Sequence, residues 1–296
     1  VSDRRLLREA VLGRSIPRLP GDPPLRALAG RVLDASPHLL VLKCGDSDLR
    51  LPMSDLTSVW PRLEELRPGR EVVARTAPAG FELDRVWVDI VRVTGTIVAQ
   101  DRDRVRVDQG PHRPAAEVLV PPSTRGQVLV RHPRFEPGYL IDVITTRSAE
   151  GLTAVRPASA QPEHRADAPP PAPARDLPRV MRGTATWFSG PARRGAAYPA
   201  VDPEGDGGGC TDAPQGCAAL PYLSVGSELV VRNECSGLTC TAPVIECGCV
   251  AARYCDRCLV CGTSPRGRVA ELTALSFVEL GGDLESGCFN VTLSVG

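Results

Sequence analysis

The sequence predicts an all-β protein built from several small domains, and three observations support that fold class. Short runs in which apolar and polar residues alternate recur along the chain, as in strands with one buried face. Two segments of the N-terminal half repeat the same landmarks in the same order. A proline- and alanine-rich stretch then separates this half from a C-terminal part that holds ten of the eleven cysteines.

These features divide the chain into five predicted parts. Residues 1–29 contain a short predicted helix, over residues 4–12, followed by loose chain. Residues 30–93 and 94–155 are the two repeats, and residues 156–180 form a linker. The proline content of the linker predicts an extended, semi-rigid spacer without a core of its own. Residues 181–296 form the cysteine-rich domain.

The repeat is carried by short matching motifs. GRVLDASPHLLVLK begins at Gly30 and GTIVAQDRDRVRVD begins at Gly95. RPGREVV contains Gly69 and EPGYLIDV contains Gly138, which lies 69 positions later (138 − 69). Chance similarity between two strand-rich segments is the alternative.

Each repeat contains enough short strands for a small barrel of the SH3-like or OB-like kind. The predicted strands of the two units include Val32, Leu39–Leu42, Leu49–Leu51, Val72–Ala74 and Val86–Val88, then Ile97–Val98, Val105–Val107, Val118–Val120, Leu129–Val130 and Leu140–Val143. The units lack the row of exposed aromatic residues that nucleic-acid binding needs. We therefore expect a structural role for the two units.

Composition narrows the classes of partner. The formal net charge is +0, which gives no electrostatic reason to expect nucleic acid or an anionic membrane surface as a partner. No run of about 18 apolar residues occurs, so no membrane-spanning helix is expected. The N-terminus also lacks the apolar core of a signal peptide. If the protein is exported, its leader is expected to be missing from this sequence.

The cysteines favour disulfides. They are dense in the last domain and even in number: Cys210, Cys217, Cys235, Cys240, Cys247, Cys249, Cys255, Cys258, Cys261 and Cys288. Cys210 with Cys217, and Cys235 with Cys240, could each close a small loop, whereas the other six allow fifteen pairings. A disulfide scaffold predicts maturation outside the cytosol.

Two other readings of the cysteines remain open. Cys255, Cys258 and Cys261, with Cys249 or Cys247 as fourth ligand, could form a zinc thiolate site, and the C-x-x-C spacing also occurs in redox proteins. Zinc would make the domain a protein-interaction module. It would leave the remaining cysteines unexplained, so disulfides are favoured and no cofactor is expected.

The positions of the histidines exclude one kind of chemistry. His38, His112, His132 and His164 all precede the C-terminal domain. A Ser-His or Cys-His nucleophile therefore cannot be built from that domain alone. Carboxylate chemistry or binding without catalysis remains.

Motifs of the C-terminal domain resemble the double-psi β-barrel domains of the rare lipoprotein A, barwin and expansin group. GTATWFSG begins at Gly183, AALPYLSVGSELVVRN at Ala218 and VIECGC at Val244, then RVAELTALSF at Arg268 and FNVTLSV at Phe289. Their order is that of the family, and the similarity covers about residues 183–296. The resemblance implies a six-stranded double-psi barrel that acts on cell-wall polysaccharide.

What the resemblance implies for chemistry depends on carboxylates. Lytic transglycosylases of the group cleave peptidoglycan glycan with an acidic residue as general acid and base, while expansin-like members bind or loosen wall glycan without hydrolysis. This chain departs from the pattern, because the first family aspartate aligns with Ile245, next to Glu246, and the second is Glu271. We predict Glu246 and Glu271 as the candidate catalytic pair, and solvated or helix-start charges as the alternative. The helix start is considered because residues 271–277 can form two helical turns with Leu272, Leu275 and Phe277 facing inward.

Aromatic residues of the same domain are candidates for stacking on sugar rings. Trp187, Tyr198 and Tyr222 are the predicted glycan-binding residues, with packing of Trp187 in the first strand as the alternative. The sequence thus predicts an exported cell-envelope protein, located outside the cytosol, that binds or remodels peptidoglycan, with other envelope proteins as partners of its N-terminal barrels. The zinc-stabilised interaction module considered above would have no glycan activity. Lytic transglycosylase activity is the enzymatic alternative.

Overall fold

The computed structural model describes residues 26–77, 82–159, 180–202, 218, 220–248, 250–256 and 266–295. These residues form strands almost throughout, with only two short α-helices among them, which confirms the predicted all-β class. The strands form three sheets. The predicted N-terminal helix lies outside the described residues.

The first sheet has six strands in the order β3-β2-β1-β5-β6-β4. Their bounds are β1 Ala27–Ser36, β2 Leu39–Cys44, β3 Ser47–Pro52, β4 Ser58–Trp60, β5 Glu71–Thr76 and β6 Leu83–Val88. All neighbouring pairs are antiparallel except β4 with β6. Among the described strands this sheet does not close on itself.

The second sheet is a closed five-stranded barrel in the order β10-β11-β9-β8-β7, closed by the pairing of β7 with β10. Its elements are β7 Ile90–Asp101, β8 Arg104–Asp108, β9 Ala116–Leu119, α1 Pro122–Arg131, β10 Leu140–Ser148 and β11 Gly151–Pro157. The predicted strand Leu129–Val130 was wrong, because these residues end helix α1. Pro122 opens that helix at a position where a missing N–H costs nothing, and only Thr124 and Val128 of it are buried.

The repeated landmarks occupy matching places in the two units. Gly30 lies opposite the carbonyl of Lys43, and Gly95 opposite that of Asp108, so each glycine approaches a residue 13 positions further on. The N–H of Gly69 donates to the carbonyl of Val32, as that of Gly138 does to Ile97, both at 2.8 Å. Gly69 and Gly138 both have positive φ, which explains why glycine recurs there.

The C-terminal domain is a closed six-stranded barrel, as predicted. Its elements are β12 Val180–Phe188, β13 Ala196–Tyr198, β14 Glu228–Asn233, β15 Thr239–Cys247, β16 Cys255–Asp256, β17 Arg266–Thr273, α2 Ala274–Glu279 and β18 Cys288–Val295. The ring runs β12-β18-β14-β15-β13-β17 and returns to β12, with β16 added outside on β17. Two of its pairs are parallel, β12 with β17 and β13 with β15, and the other four are antiparallel.

One short helix begins later than the sequence indicates. The predicted helix over residues 271–277 is strand as far as Thr273, whose hydroxyl then accepts from the N–H of Ser276 as the helix cap. Glu271 is therefore a strand residue and not a charge in the first turn of a helix. Leu272 and Phe277 are buried as expected.

The three sheets pack against one another through one buried cluster, and each of the two N-terminal units also has a core of its own. Trp87 of the first unit and Ile144 of the second join the same buried cluster as the apolar residues of the C-terminal barrel. The start of the predicted linker belongs to this packing, because residues 156 and 157 end β11 and Ala158 is buried in the shared core. The spacer was thus placed too early, and residues 160–179 lie outside the described residues. No helix within the described ranges is long and apolar enough to span a membrane.

Candidate functional site

Strand pairing in the C-terminal barrel brings the two predicted carboxylates together. Glu246 is the last residue but one of β15, and Glu271 lies near the end of β17. Between these strands runs β13, where Ala197 pairs with Glu246 on one side and with Glu271 on the other. Two residues separated by 25 positions (271 − 246) therefore lie at the same level of the barrel.

A side chain from the second unit holds both carboxylates. Arg113, in the segment that joins β8 to β9, donates from Nε and Nη2 to Oε1 of Glu246 at 2.9 and 2.7 Å. Its Nη1 donates to Oε2 of Glu271 at 2.8 Å. A planar guanidinium suits this arrangement, because its donors form a rigid fork that can bind two carboxylates at once.

The guanidinium of Arg113 also covers an aromatic ring. Its Cζ lies 4.4 Å from the centre of the Phe188 ring, at the end of β12. Burial alone would lower the pKa of Arg113, but the charges of Glu271 and Glu246 outweigh it and the pKa is raised. The guanidinium of Arg113 is therefore fully charged at neutral pH.

From Glu271 the series of ion pairs extends into the interface between the C-terminal barrel and the barrel of the second unit. Arg268 donates to Oε1 of Glu271 at 3.0 Å and to Oδ2 of Asp142 at 2.7 Å. Asp142 belongs to β10 of the second unit and also accepts hydrogen bonds from Nε and Nη2 of Arg92. Three arginines and three carboxylates thus alternate in one chain, whose inner members are almost completely buried.

Among the three carboxylates of this series of ion pairs, Asp142 has the most hydrogen-bond partners. Besides the two arginines it accepts hydrogen bonds from the hydroxyls of Thr94 at 2.9 Å and Ser159 at 2.7 Å. Burial raises the pKa of Asp142, but Arg92 and Arg268 lower it by more, so that it lies well below its usual range. Asp142 is therefore ionised at neutral pH.

Arg113 binds both carboxylates, and the space that remains beside them is too small for a substrate. Only 2% of the Glu271 side chain and 26% of that of Glu246 is exposed. The cavity beside Glu271 measures about 10 Å³ and is lined by residues 109–113, with His112 among them. A space of this size holds about one water molecule and no sugar. With Arg113 in place, neither glutamate can approach a glycan.

The predicted stacking aromatics are placed less favourably than expected. Trp187 is 1% exposed and its indole N–H donates to the carbonyl of Leu284 at 2.9 Å. Tyr198 is fully buried, and its hydroxyl lies 2.9 Å from the carbonyl of Pro221. Both are packing residues because β12 and β13 face the barrel core. Tyr222, which is 65% exposed, is the one of the three that can contact a ligand.

Two of the described cysteines depart from the predicted scaffold. Cys235, Cys247 and Cys255 are disulfide-bonded. Cys240 and Cys288 are thiols, so the pairing of Cys235 with Cys240 was wrong, as was the inclusion of both thiols among the disulfides. Burial raises the pKa of the Cys240 thiol to about 11, which keeps it protonated.

One of the cysteines in the predicted zinc site is not available as a ligand. Cys255 cannot act as a thiolate while it belongs to a disulfide, so the predicted set is incomplete. Cys249, Cys258 and Cys261 of that set, like Cys210 and Cys217, lie outside the described residues. Within the described ranges no group of three His, Cys, Asp or Glu side chains is placed to hold a metal ion.

The cysteine-bearing segment before β17 attaches to the second unit through Tyr254. This side chain is completely buried, and its hydroxyl lies within hydrogen-bond distance of the carbonyls of Gly95, at 3.0 Å, and Ile141, at 2.8 Å. Its ring lies under the guanidinium of Arg268, with 4.0 Å between Cζ and the ring centre. Tyr254 therefore connects the segment, the second barrel and the buried ion pairs.

Removing this hydroxyl tests the attachment. We expect Tyr254→Phe to lower the free energy of unfolding by about 1–2 kcal/mol, because buried carbonyls would lose their donor. Urea unfolding of the full chain measures the change, and Tyr222→Phe, at an exposed ring, should have almost none. Equal effects of the two substitutions would contradict the attachment.

A larger cleft lies between the first unit and the C-terminal barrel. It has a volume of about 250 Å³, and both Trp87 and Trp187 border it. Its charged lining residues are Glu71, Asp89 and Arg147. Asp89 is already held by Arg70 at 2.7 Å, so the cleft offers few polar groups to a ligand.

Sequence reasoning missed Arg113, Phe188 and His112 as neighbours of the carboxylates. Arg113 and His112 belong to another unit, and no local pattern indicates which loop of one barrel will meet another barrel. Phe188 carried a signal, because it follows Trp187 in a motif that the family resemblance already singled out. No protein-family model matches the chain, and no curated protein is similar enough to match it.

Proposed function

We propose that the protein is an exported cell-envelope protein whose C-terminal barrel binds or remodels cell-wall glycan, in particular peptidoglycan. The observation that carries this proposal is the position of Glu246 and Glu271 on either side of Ala197. These are the two carboxylates that the resemblance to the rare lipoprotein A, barwin and expansin group implies. Carboxylates that accept hydrogen bonds from sugar hydroxyls are suited to glycan recognition.

Export is supported by cysteine chemistry. Disulfides form and persist in oxidising compartments, and Cys235, Cys247 and Cys255 are disulfide-bonded. The second function considered from sequence, a cytosolic zinc module, is less well supported because Cys255 is not available as a thiolate.

The contacts of the two carboxylates favour glycan binding without cleavage over catalysis. A lytic transglycosylase needs one carboxyl group that first protonates the glycosidic oxygen and then takes the proton of the sugar's own 6-hydroxyl. Glu271 contacts two guanidiniums and Glu246 contacts one, so both carboxylates are engaged in ion pairs and neither is free to reach a glycosidic oxygen while Arg113 is in place. The proximity of the two carboxylates keeps transglycosylase activity as the second candidate, provided that Arg113 moves away.

Sedimentation with purified peptidoglycan sacculi tests the proposal on the full chain. We expect a saturable fraction of the protein in the pellet, and a lower fraction for Glu246→Gln, which keeps the shape of the side chain and removes its charge. Glu117→Gln is the matched control, since Glu117 is an exposed glutamate of the second barrel paired with Arg104. Protein that remains entirely in the supernatant would contradict glycan binding.

The same samples separate binding from cleavage. Mass spectrometry of the supernatant would detect anhydro-muropeptides, the products of transglycosylase chemistry. Products that disappear in Glu246→Gln would establish the enzymatic alternative, whereas pelleted protein without products would establish a binding or remodelling protein.

A further inference from the structure

We infer that the segment between β8 and β9, residues 109–115, is an intramolecular plug that closes the glycan site of the C-terminal barrel. We call it the plug loop. The inference rests on the proposed function, and it adds that glycan binding requires the plug loop to leave. It follows from four observations on how the loop sits on the barrel.

The plug loop fills the space in front of the carboxylates. Arg113 binds Glu246 and Glu271 with three hydrogen bonds between 2.7 and 2.9 Å. Gly110 lies against Val250, so closely that a Cβ atom on it would be 2.7 Å from a methyl carbon of that valine. Only about 10 Å³ remains between the loop and the barrel.

The plug loop has a defined shape of its own. The N–H of Gly110 donates to the carboxylate of Asp108 at 2.9 Å, and the amide of Gln109 donates to the carbonyl of Pro114 at 2.9 Å. The loop can therefore move as a unit between the two strands that carry it. β8 and β9 are joined by their own antiparallel pairing, which does not depend on the contact with the C-terminal barrel.

The ion pairs are arranged so that the outer contact can open while the inner one stays. The side chains of Arg113 and Glu246 are 17% and 26% exposed, whereas those of Arg268 and Asp142 are completely buried. When Arg113 leaves, Glu271 keeps its 3.0 Å contact with Arg268 and is not left as an unpaired buried charge. Opening of the plug loop therefore costs only the contacts that Arg113 makes, and these are partly exposed.

Departure of the plug loop would expose groups that can contact a sugar. The guanidinium of Arg113 covers the Phe188 ring at 4.4 Å, and that ring is 3% exposed. Without the guanidinium, an apolar ring face would lie beside a carboxylate. A pyranose presents an apolar C–H face and a rim of hydroxyl donors, so it can contact both groups at once.

The experiment compares the full chain with Arg113→Ala. Arg104→Ala is the matched control, because Arg104 belongs to the strand preceding the plug loop and its ion pair with Glu117 is exposed. We expect Arg113→Ala to bind sacculi about tenfold more tightly than the wild type, within the range usual for coupling between a closed and an open state. Arg104→Ala should bind like the wild type, and Arg113→Lys, which keeps the charge, should lie between the two.

A second measurement reports on the plug loop without any glycan. Hydrogen–deuterium exchange of residues 109–115 should be faster in Arg113→Ala and unchanged in Arg104→Ala. Faster exchange with unchanged binding to sacculi would overturn the inference while leaving the proposed function intact. Unchanged exchange would overturn it as well, because Arg113 would not be what holds the loop.

The proposed function fails in a different way. If exchange is faster in Arg113→Ala and neither this variant nor the wild type binds sacculi, the barrel does not bind peptidoglycan, and the inference falls with the proposed function. Tighter binding together with faster exchange supports both.

Discussion

Asp142→Asn is expected to lower the free energy of unfolding by about 3–5 kcal/mol, the range found when one partner of a buried ion pair is removed. The side chain of Asp142 is completely buried and contacts the guanidiniums of Arg92 and Arg268. Asparagine has almost the same shape but no charge. Arg92 would then keep only hydrogen bonds to neutral groups, with its charge still buried.

Asp48→Asn is the matched control for this substitution. Asp48 also forms an ion pair from a strand, with Lys43 at 2.9 Å, but both side chains are about half exposed. Exposed pairs of this kind contribute about 0–1 kcal/mol. Urea unfolding of both variants measures the difference, and a loss of less than 1 kcal/mol for Asp142→Asn would show that the buried chain of charges does not hold the barrels together.

The effect of Asp142→Asn should also depend on pH in a defined direction. The folded-state pKa of Asp142 lies below that of the unfolded chain, which is about 3.9 for aspartate. Stability from such a group is fully present above the unfolded pKa and is lost as pH falls through the folded pKa. The difference between wild type and variant should therefore stay constant from about pH 5 to 8 and shrink below about pH 4. A difference that grows on acidification would contradict the assignment.

The sequence was informative wherever the cause of a structure is local. Alternating apolar residues predicted most strands, and the landmarks around Gly30 and Gly95 found a repeat whose two glycines make the same close approach. Glu246 and Glu271 were paired correctly as neighbours because the motifs that contain them are ordered along the chain as in a known barrel. Their roles stay predictions.

What the sequence did not predict depends on contacts between units. Arg113 lies 133 positions from Glu246 (246 − 113), and its role appears only when two barrels are docked together. Trp187, which sequence reasoning offered to a sugar, is buried because it packs in the core of the C-terminal barrel. Leu129 and Val130 were assigned to a strand because they are apolar, although Pro122 already provides a helix start seven positions earlier.

Gly95→Ala is the second substitution with a large expected effect, a loss of about 3 kcal/mol in the free energy of unfolding. A Cβ atom at this position would lie 2.0 Å from the carbonyl oxygen of Asp108, which belongs to the backbone of the paired strand and cannot rotate away. Relief would require β7 and β8 to separate, at the upper end of the cost of overpacking a core. The carbonyl of Gly95 also contacts Tyr254, so the shift would extend to the C-terminal domain.

Two further glycines make this prediction specific. Gly30→Ala should also destabilise, because its Cβ would lie 2.5 Å from the carbonyl of Lys43 at the equivalent place of the first unit. Gly126→Ala should have the opposite sign and stabilise by about 0.5–1 kcal/mol, since Gly126 lies inside helix α1 with nothing within 4 Å of its Cβ position. Thermal and urea unfolding of the three variants would measure these changes. Similar effects at all three positions would mean that the loss of glycine itself matters, and not the close approach of the two strands that the repeat preserves.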